Sequence, residues 1–123
     1  MLPQSFVLES GRPIERPVTA FETWGEPRGD NAILLTTGLS PSAHAARHGP
    51  EDDPGWWEEM VGPGKPIDTE RWFVVCVNVI GGCQGSVGPA HPHPDDLRPW
   101  GSRFPVVTVR DMVRTQAVVA DHL

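Results

Sequence analysis

The sequence predicts an α/β fold: a mixed sheet with two parallel apolar strands at its centre, an antiparallel hairpin at one edge and a helix packed on one face. Three observations predict it. Residues 32–35 (AILL) form a short uninterrupted apolar run. Residues 72–80 (WFVVCVNVI) form a longer one, rich in β-branched side chains. Such runs read as strands covered on both faces. From Thr108 onward the pattern changes to helical spacing behind a Thr-x-x-Asp capping signal. With 123 residues the chain is one domain (1–123) with room for a modest core.

In chain order, residues 6–9 suit a short strand and Gly11-Arg12-Pro13 a turn. Residues 17–24 alternate, with Val18, Ala20 and Glu22 on one face and Thr19, Phe21 and Thr23 on the other. An antiparallel hairpin of residues 6–9 and 14–23 is therefore expected at a sheet edge. The run 32–35 passes through Thr36-Thr37-Gly38 into the polar turn Leu39-Ser40-Pro41-Ser42-Ala43-His44. Gly38 is expected to free the backbone for the turn, and Pro41 cannot extend a ladder. The loop that leaves the carboxyl end of a strand is where open α/β sheets bind ligands.

Residues 45–53 are polar and read as an exposed loop. Trp56, Trp57, Met60 and Val61 share one face of one or two helical turns, expected to form a lid over the core, and Gly62-Pro63-Gly64 stops them. Residues 72–80 are expected at the sheet centre, with Asn78 bonded to loop backbone. The glycines of 81–89 follow no phosphate-loop spacing. In the last helix Val109, Met112, Val113, Ala117 and Ala120 are expected on the buried face. No stop signal precedes Leu123, so the chain is expected to be the N-terminal part of something longer.

The balance of 10 basic against 16 acidic residues gives −6, which argues against an electrostatic nucleic-acid binder. There is no basic segment followed by an apolar core at the start, and no apolar run approaches the ~20 residues of a membrane span. A cytoplasmic location follows as the expectation. Cys76 and Cys83 form no C-x-x-C pair and are expected as reduced thiols.

Chemical motifs are sparse. His91 and His93 in HPHPDD stand two apart before Asp95 and Asp96. They partly mimic the H-x-H-x-D-H metal motif of metallo-β-lactamase-like hydrolases, with Asp96 where the last histidine belongs. A metal-dependent hydrolase using His91 and His93 is one alternative, and a solvated proline-rich loop the plainer account. His44 has no acid close in sequence to pair with, so it reads as a loop hydrogen-bonder rather than a base. No G-x-S-x-G occurs anywhere.

Longer blocks carry more information. FETWG at 21–25, NAILL at 31–35, PGWWEEMVGPGKPIDT at 54–69, RWFVVCVNV at 71–79, GGCQGSVGP at 81–89 and FPVVTVRDMVRTQ at 104–116 resemble the homoserine O-acetyltransferase family. That family comprises acyltransferases of the α/β-hydrolase fold, including serine and homoserine O-succinyltransferases.

The resemblance implies the N-terminal part of that fold, cut before the nucleophile elbow. It implies a serine nucleophile that takes an acetyl or succinyl group from acetyl-CoA or succinyl-CoA as co-substrate, with no bound cofactor or metal. The acyl group passes to the hydroxyl of homoserine or serine in a ping-pong scheme. Serine, aspartate and histidine are expected downstream of Leu123, so the fragment alone is expected to be inactive. The family loop H-A-L-T-G-D-A-H aligns with residues 37–44, which makes the Leu39 N–H the oxyanion donor. Gly38-Leu39-Ser40-Pro41 departs from A-L-T-G towards the serine O-succinyltransferase branch, which marks these four as specificity residues. Partners implied are small molecules, with neither nucleic acid nor membrane, and room for a homodimer of the full-length enzyme. A noncatalytic domain sharing the fold is the remaining alternative.

Overall fold

A computed structural model describes residues 4–38 and 40–123. The chain forms two compact units, one of Phe21–Val77 and one of Met1–Ala20 with Asn78–Leu123.

The unit of Phe21–Val77 is built on a three-stranded sheet of β3 (Phe21–Trp24), β4 (Ala32–Thr36) and β7 (Phe73–Val77), in the order β3-β7-β4. β4 and β7 run parallel, with Ala32 opposite Phe73 and Thr36 opposite Val77. β7 is buried at all five positions, as its unbroken apolar sequence requires. Each such side chain contributes roughly 1.5–3 kcal/mol relative to exposure. A minimal parallel pair, β5 (Val61–Gly62) and β6 (Ile67–Asp68), flanks the connection. The core joins Trp24, Leu35, Ala43, Ala45, Ala46, Val61, Val74 and Cys76.

Two expectations fail here. Residues 21–24 do not complete a hairpin with the first strand; they pair antiparallel with β7, Phe21 opposite Val77 and Trp24 opposite Val74. β4 is not buried on both faces: Leu34 is 44% exposed. Only β7 has a strand on each side, and β4 is an edge among the described residues. The expected helical turn at 56–60 is a single one, closed by the Met60 and Val61 N–H groups on the Trp57 carbonyl at 2.9 and 3.2 Å, and Trp56 and Trp57 stack on each other at 5.6 Å, 37% and 36% exposed.

Gly25 closes β3 with φ +78°, and a Cβ there would stand 2.2 Å from the Trp72 carbonyl oxygen. No side chain fits that backbone or that space. Gly25→Ala is expected to cost about 2 kcal/mol, measured as a fall in the urea midpoint at unchanged m.

The other unit begins with a hairpin of β1 (Ser5–Val7) and β2 (Pro13–Glu15), Phe6 opposite Ile14. It is a two-stranded sheet of its own, shorter than the expected edge hairpin. Phe6, Leu8, Ile14, Ile80 and Val87 form its core, with Phe104, Val107 and Met112 packed on it. Helix α1 (Val109–His122) starts at Thr108 with a complete capping box to Asp111. Its buried face is Asp111, Thr115, Gln116 and Val119. Val109 is 75% exposed, and Val113, Ala117 and Ala120 face solvent with it. The apolar stripe legible in the sequence is thus largely the outer face. The inner face is polar because Asp111 accepts the Glu9 N–H at 2.9 Å and the Thr115 hydroxyl donates to the Met112 carbonyl at 2.7 Å. No helix among the described residues is long and apolar enough to cross a membrane.

Candidate functional site

β4 ends at Thr36 and releases the chain into the loop singled out by its sequence. Leu39, the expected oxyanion donor, lies outside the described residues. Gly38 and Ser40 are exposed and Pro41 is half-buried. Gly38 has no positive φ, and an added Cβ would meet only the Pro41 ring at 3.5 Å. Contrary to expectation, the turn does not require glycine there. Thr37 keeps a buried hydroxyl oxygen with no hydrogen-bond partner among the described residues.

The second half of the loop is held tightly. Ser42 Oγ accepts the His44 N–H at 3.1 Å, and the Trp56 indole N–H donates to the Ser42 carbonyl at 2.9 Å. Ala43, Ala45 and Ala46 are buried between these polar neighbours, small enough to let the backbone lie close to the core. The Trp24 indole N–H donates to the Ala46 carbonyl at 3.2 Å. Glu58 ties both ends of the following segment, accepting N–H groups of Arg47 at 2.9 Å and Gly55 at 3.1 Å and the Lys65 ammonium at 3.0 Å. Those backbone bonds, with Lys65 beside them, hold its carboxyl down at about 2.

His44 does have an acidic partner, 22 positions upstream. Its Nδ1 lies 2.9 Å from Glu22 Oε2 and its Nε2 2.8 Å from the Asp53 carbonyl oxygen. A carbonyl and a carboxylate both accept, so this geometry favours the ring that donates from both nitrogens. The Asp53 carbonyl first, and then Glu22, raise its pKa above the ordinary histidine value. His48 Nε2 reaches the same Glu22 oxygen at 3.0 Å. Its ring stacks on Trp24, 4.9 Å between centroids and 2° between planes. Glu22 and His48 escaped the sequence reading. The available signal was a lone acid in the otherwise apolar-aromatic β3, whose role only the fold reveals.

The other candidate motifs do not assemble. The loop 81–89 folds on itself: Asn78 donates its amide to the Gln84 carbonyl, and the Ser86 hydroxyl donates to the Asn78 carbonyl at 2.7 Å. This is the backbone-satisfying role expected of Asn78. Gly88 is required because a Cβ would stand 2.1 Å from the Gly82 carbonyl oxygen. Asp96, which stands where the metal motif has its last histidine, forms a two-point pair with Arg103 at 2.9 and 3.2 Å. That bond is the main cause holding its carboxyl below the usual range. His93 Nδ1 accepts the Asp95 N–H at 3.2 Å and its ring lies 4.1 Å from Trp100. Among the described residues, the three-residue cluster with metal-ligating atoms is Glu22, His44 and His48, not His91 and His93. Cys76 and Cys83 are free thiols; burial pushes Cys76 up to about 11, while Cys83 is exposed.

No protein-family model matches the chain. Individual proteins do. It is 49% identical over 124 residues to a serine O-succinyltransferase of Xanthomonas axonopodis pv. citri, covering 99% of this chain and 31% of that protein. It is 52% identical over 120 residues to a homoserine O-succinyltransferase of Halorhodospira halophila, covering 94% and 31%. A homoserine O-acetyltransferase of Carboxydothermus hydrogenoformans is 51% identical over 120 residues, covering 94% and 32%. The chain therefore spans about a third of the length of these relatives, and their near-equal identities do not separate acceptor or acyl group. Among solved structures, homoserine O-acetyltransferase from Bacillus anthracis superposes with a TM-score of 0.89 at 29% identity, covering 98% of this chain and 35% of that one. Esterase E22 gives 0.87 at 32% identity, covering 98% and 35%. By sequence and by fold, the chain is similar to about a third of the length of homoserine and serine O-acetyl- and O-succinyltransferases, and it shares the α/β-hydrolase fold of its structural neighbours.

Proposed function

We propose that the chain is part of an acyl-CoA-dependent O-acyltransferase that moves an acetyl or succinyl group to the hydroxyl of L-homoserine or L-serine. The observation that carries this reading is the identity of about one residue in two, over 94–99% of the chain, to enzymes named for those reactions. In the proposed scheme a serine oxygen attacks the thioester carbonyl and the CoA thiolate leaves. The acceptor hydroxyl then attacks the acyl-serine and frees the nucleophile. The 123 residues contain no G-x-S-x-G, so nucleophile, aspartate and histidine are assigned outside them. The contribution of this chain is the loop after β4. The Leu39 N–H is assigned to the oxyanion, and Gly38, Ser40 and Pro41 to the acceptor pocket.

The anchoring of the loop supports this division. Residues 42–46 are fixed by hydrogen bonds and burial, whereas Gly38 and Ser40 are exposed. Gly38 and Ser40 can therefore vary without disturbing the core. Replacing Gly38-Leu39-Ser40-Pro41 by A-L-T-G in the whole enzyme is expected to shift the serine-to-homoserine ratio of kcat/KM by roughly 10-fold, within the ~1–3 kcal/mol that one methylene allows. Unchanged ratios would remove these residues from the acceptor pocket.

The reaction itself is tested with the whole enzyme, acetyl-CoA or succinyl-CoA and each amino acid, following free CoA thiol. Acceptor-dependent thiol release is expected for one pairing. Release that ignores both amino acids would make water the acceptor, as the structural likeness to an esterase allows, and would overturn the transferase reading.

A further inference from the structure

We propose that Glu22, His44 and His48 form a three-ligand site for a divalent transition metal of the zinc class. One oxygen and two nitrogens, one from each residue, lie within 4.8 Å of one another. Two imidazoles and a carboxylate suit zinc, cobalt or nickel better than calcium or magnesium, which take oxygen ligands. The ligands come from separate places in one compact unit: Glu22 from β3, His44 and His48 from the anchored loop.

Each ligand is held by a neighbour that leaves its metal-facing atom defined. His44 gives Nε2–H to the Asp53 carbonyl at 2.8 Å, the outer bond typical of a ligating histidine, and this turns Nδ1 inward. The His48 ring is fixed flat against Trp24, and the backbone N–H of His48 donates to an Asp52 carboxylate oxygen at 2.9 Å. Glu22 Oε2 receives both histidine nitrogens, at 2.9 and 3.0 Å. In the metal-free arrangement two N–H protons bridge the ligand atoms. A metal takes their place: His44 releases its Nδ1 proton to solvent and keeps Nε2–H, His48 takes the tautomer with its proton on Nδ1, and the freed lone pairs of His44 Nδ1 and His48 Nε2 bind the ion. Ligand atoms around tetrahedral zinc stand ~3.3 Å apart, given ~2.0–2.1 Å bonds. The two Glu22–histidine distances, 2.9 and 3.0 Å, need open by only a few tenths of an ångström, and the two histidine nitrogens already lie within 4.8 Å of each other. The side chains of Glu22 and His48 are 31% and 47% exposed, so an ion has a path in, and the fourth position is left to water or a substrate oxygen.

The inference does not depend on acyl transfer, and its test reads metal alone. The full chain, in a Cys83→Ser background that removes the exposed thiol, is stripped with chelator and titrated with Zn²⁺ and Mg²⁺ by calorimetry. One equivalent of Zn²⁺ is expected, with no Mg²⁺ heat, and Co²⁺ should give the visible bands of a four- or five-coordinate site. Glu22→Gln and His48→Gln, each checked for folding by circular dichroism, should weaken Zn²⁺ binding tenfold or more, and His91→Gln should not. Absence of stoichiometric Zn²⁺ in the parent, or binding that survives both variants, overturns the proposal and leaves a purely hydrogen-bonded cluster.

Discussion

The 123-residue chain, purified alone, is expected to transfer no acyl group. Incubated with acetyl-CoA or succinyl-CoA and either amino acid, it should release CoA thiol no faster than a no-protein control. The reasoning is geometric. Acyl transfer of this class needs a nucleophile, its base and oxyanion donors in one constellation. These residues contain no G-x-S-x-G, and His44, in the loop after β4, has both ring nitrogens engaged by Glu22 and Asp53. A doubly protonated ring has no lone pair to accept a proton from a hydroxyl. Loss of the nucleophile or its base costs about 10⁶-fold in kcat in a comparable serine enzyme. Acceptor-dependent thiol release by the isolated chain would mean that a nucleophile exists within these residues and that the assignment of the triad elsewhere is wrong.

Asp111→Ala is expected to destabilise the chain by about 3 kcal/mol at pH 7, the scale of a buried charged group with several hydrogen bonds. Asp111 is fully buried at the first turn of α1 and accepts N–H groups of Glu9 at 2.9 Å and Thr108 at 3.1 Å, with Arg114 at 3.3 Å. It therefore caps the helix and ties it to the segment after β1 at once. Burial by itself pushes the carboxyl up, but the N–H groups of Thr108 and Glu9, the Thr108 side chain and Arg114 outweigh it and leave the pKa lowered from 3.8. A carboxyl lowered on folding stabilises above its unfolded value and loses that contribution as pH falls through its folded value. The difference between Asp111→Ala and the parent should accordingly be full at neutral pH and shrink below 3.8. Urea midpoints measured from pH 7 down to the acid limit check both the size and the direction. A difference that grows on acidification would contradict this account.

The sequence by itself determined the elements whose evidence is local. The apolar runs at 32–35 and 72–80 became β4 and β7, in parallel as expected, and the longer, β-branched run took the buried central place between two strands. Thr108 and Asp111 gave the helix start to the residue, because a capping box is a contact between positions three apart. The long blocks from FETWG to FPVVTVRDMVRTQ were enough to point to serine and homoserine O-acyltransferases, and relatives identical at about one residue in two carry those names.

Tertiary structure alone decided the rest, and each case is a contact between residues far apart in the chain. Residues 21–24 left the first hairpin for β7, about fifty positions on, where they complete an antiparallel edge beside the most buried strand. The inner face of α1 went to Asp111, Thr115 and Gln116, because hydrogen-bond partners 102 positions away for Asp111 and within the helix for Thr115 removed the cost of burying polar atoms. Glycine proved necessary at 25 and 88, where a distant carbonyl occupies the place of a Cβ, and unnecessary at 38, where none does. Glu22 met His44 and His48 because β3 and the loop after β4 lie together in one unit. Local pattern reports what a residue prefers; which charge faces which ring is set by the path of the backbone between them.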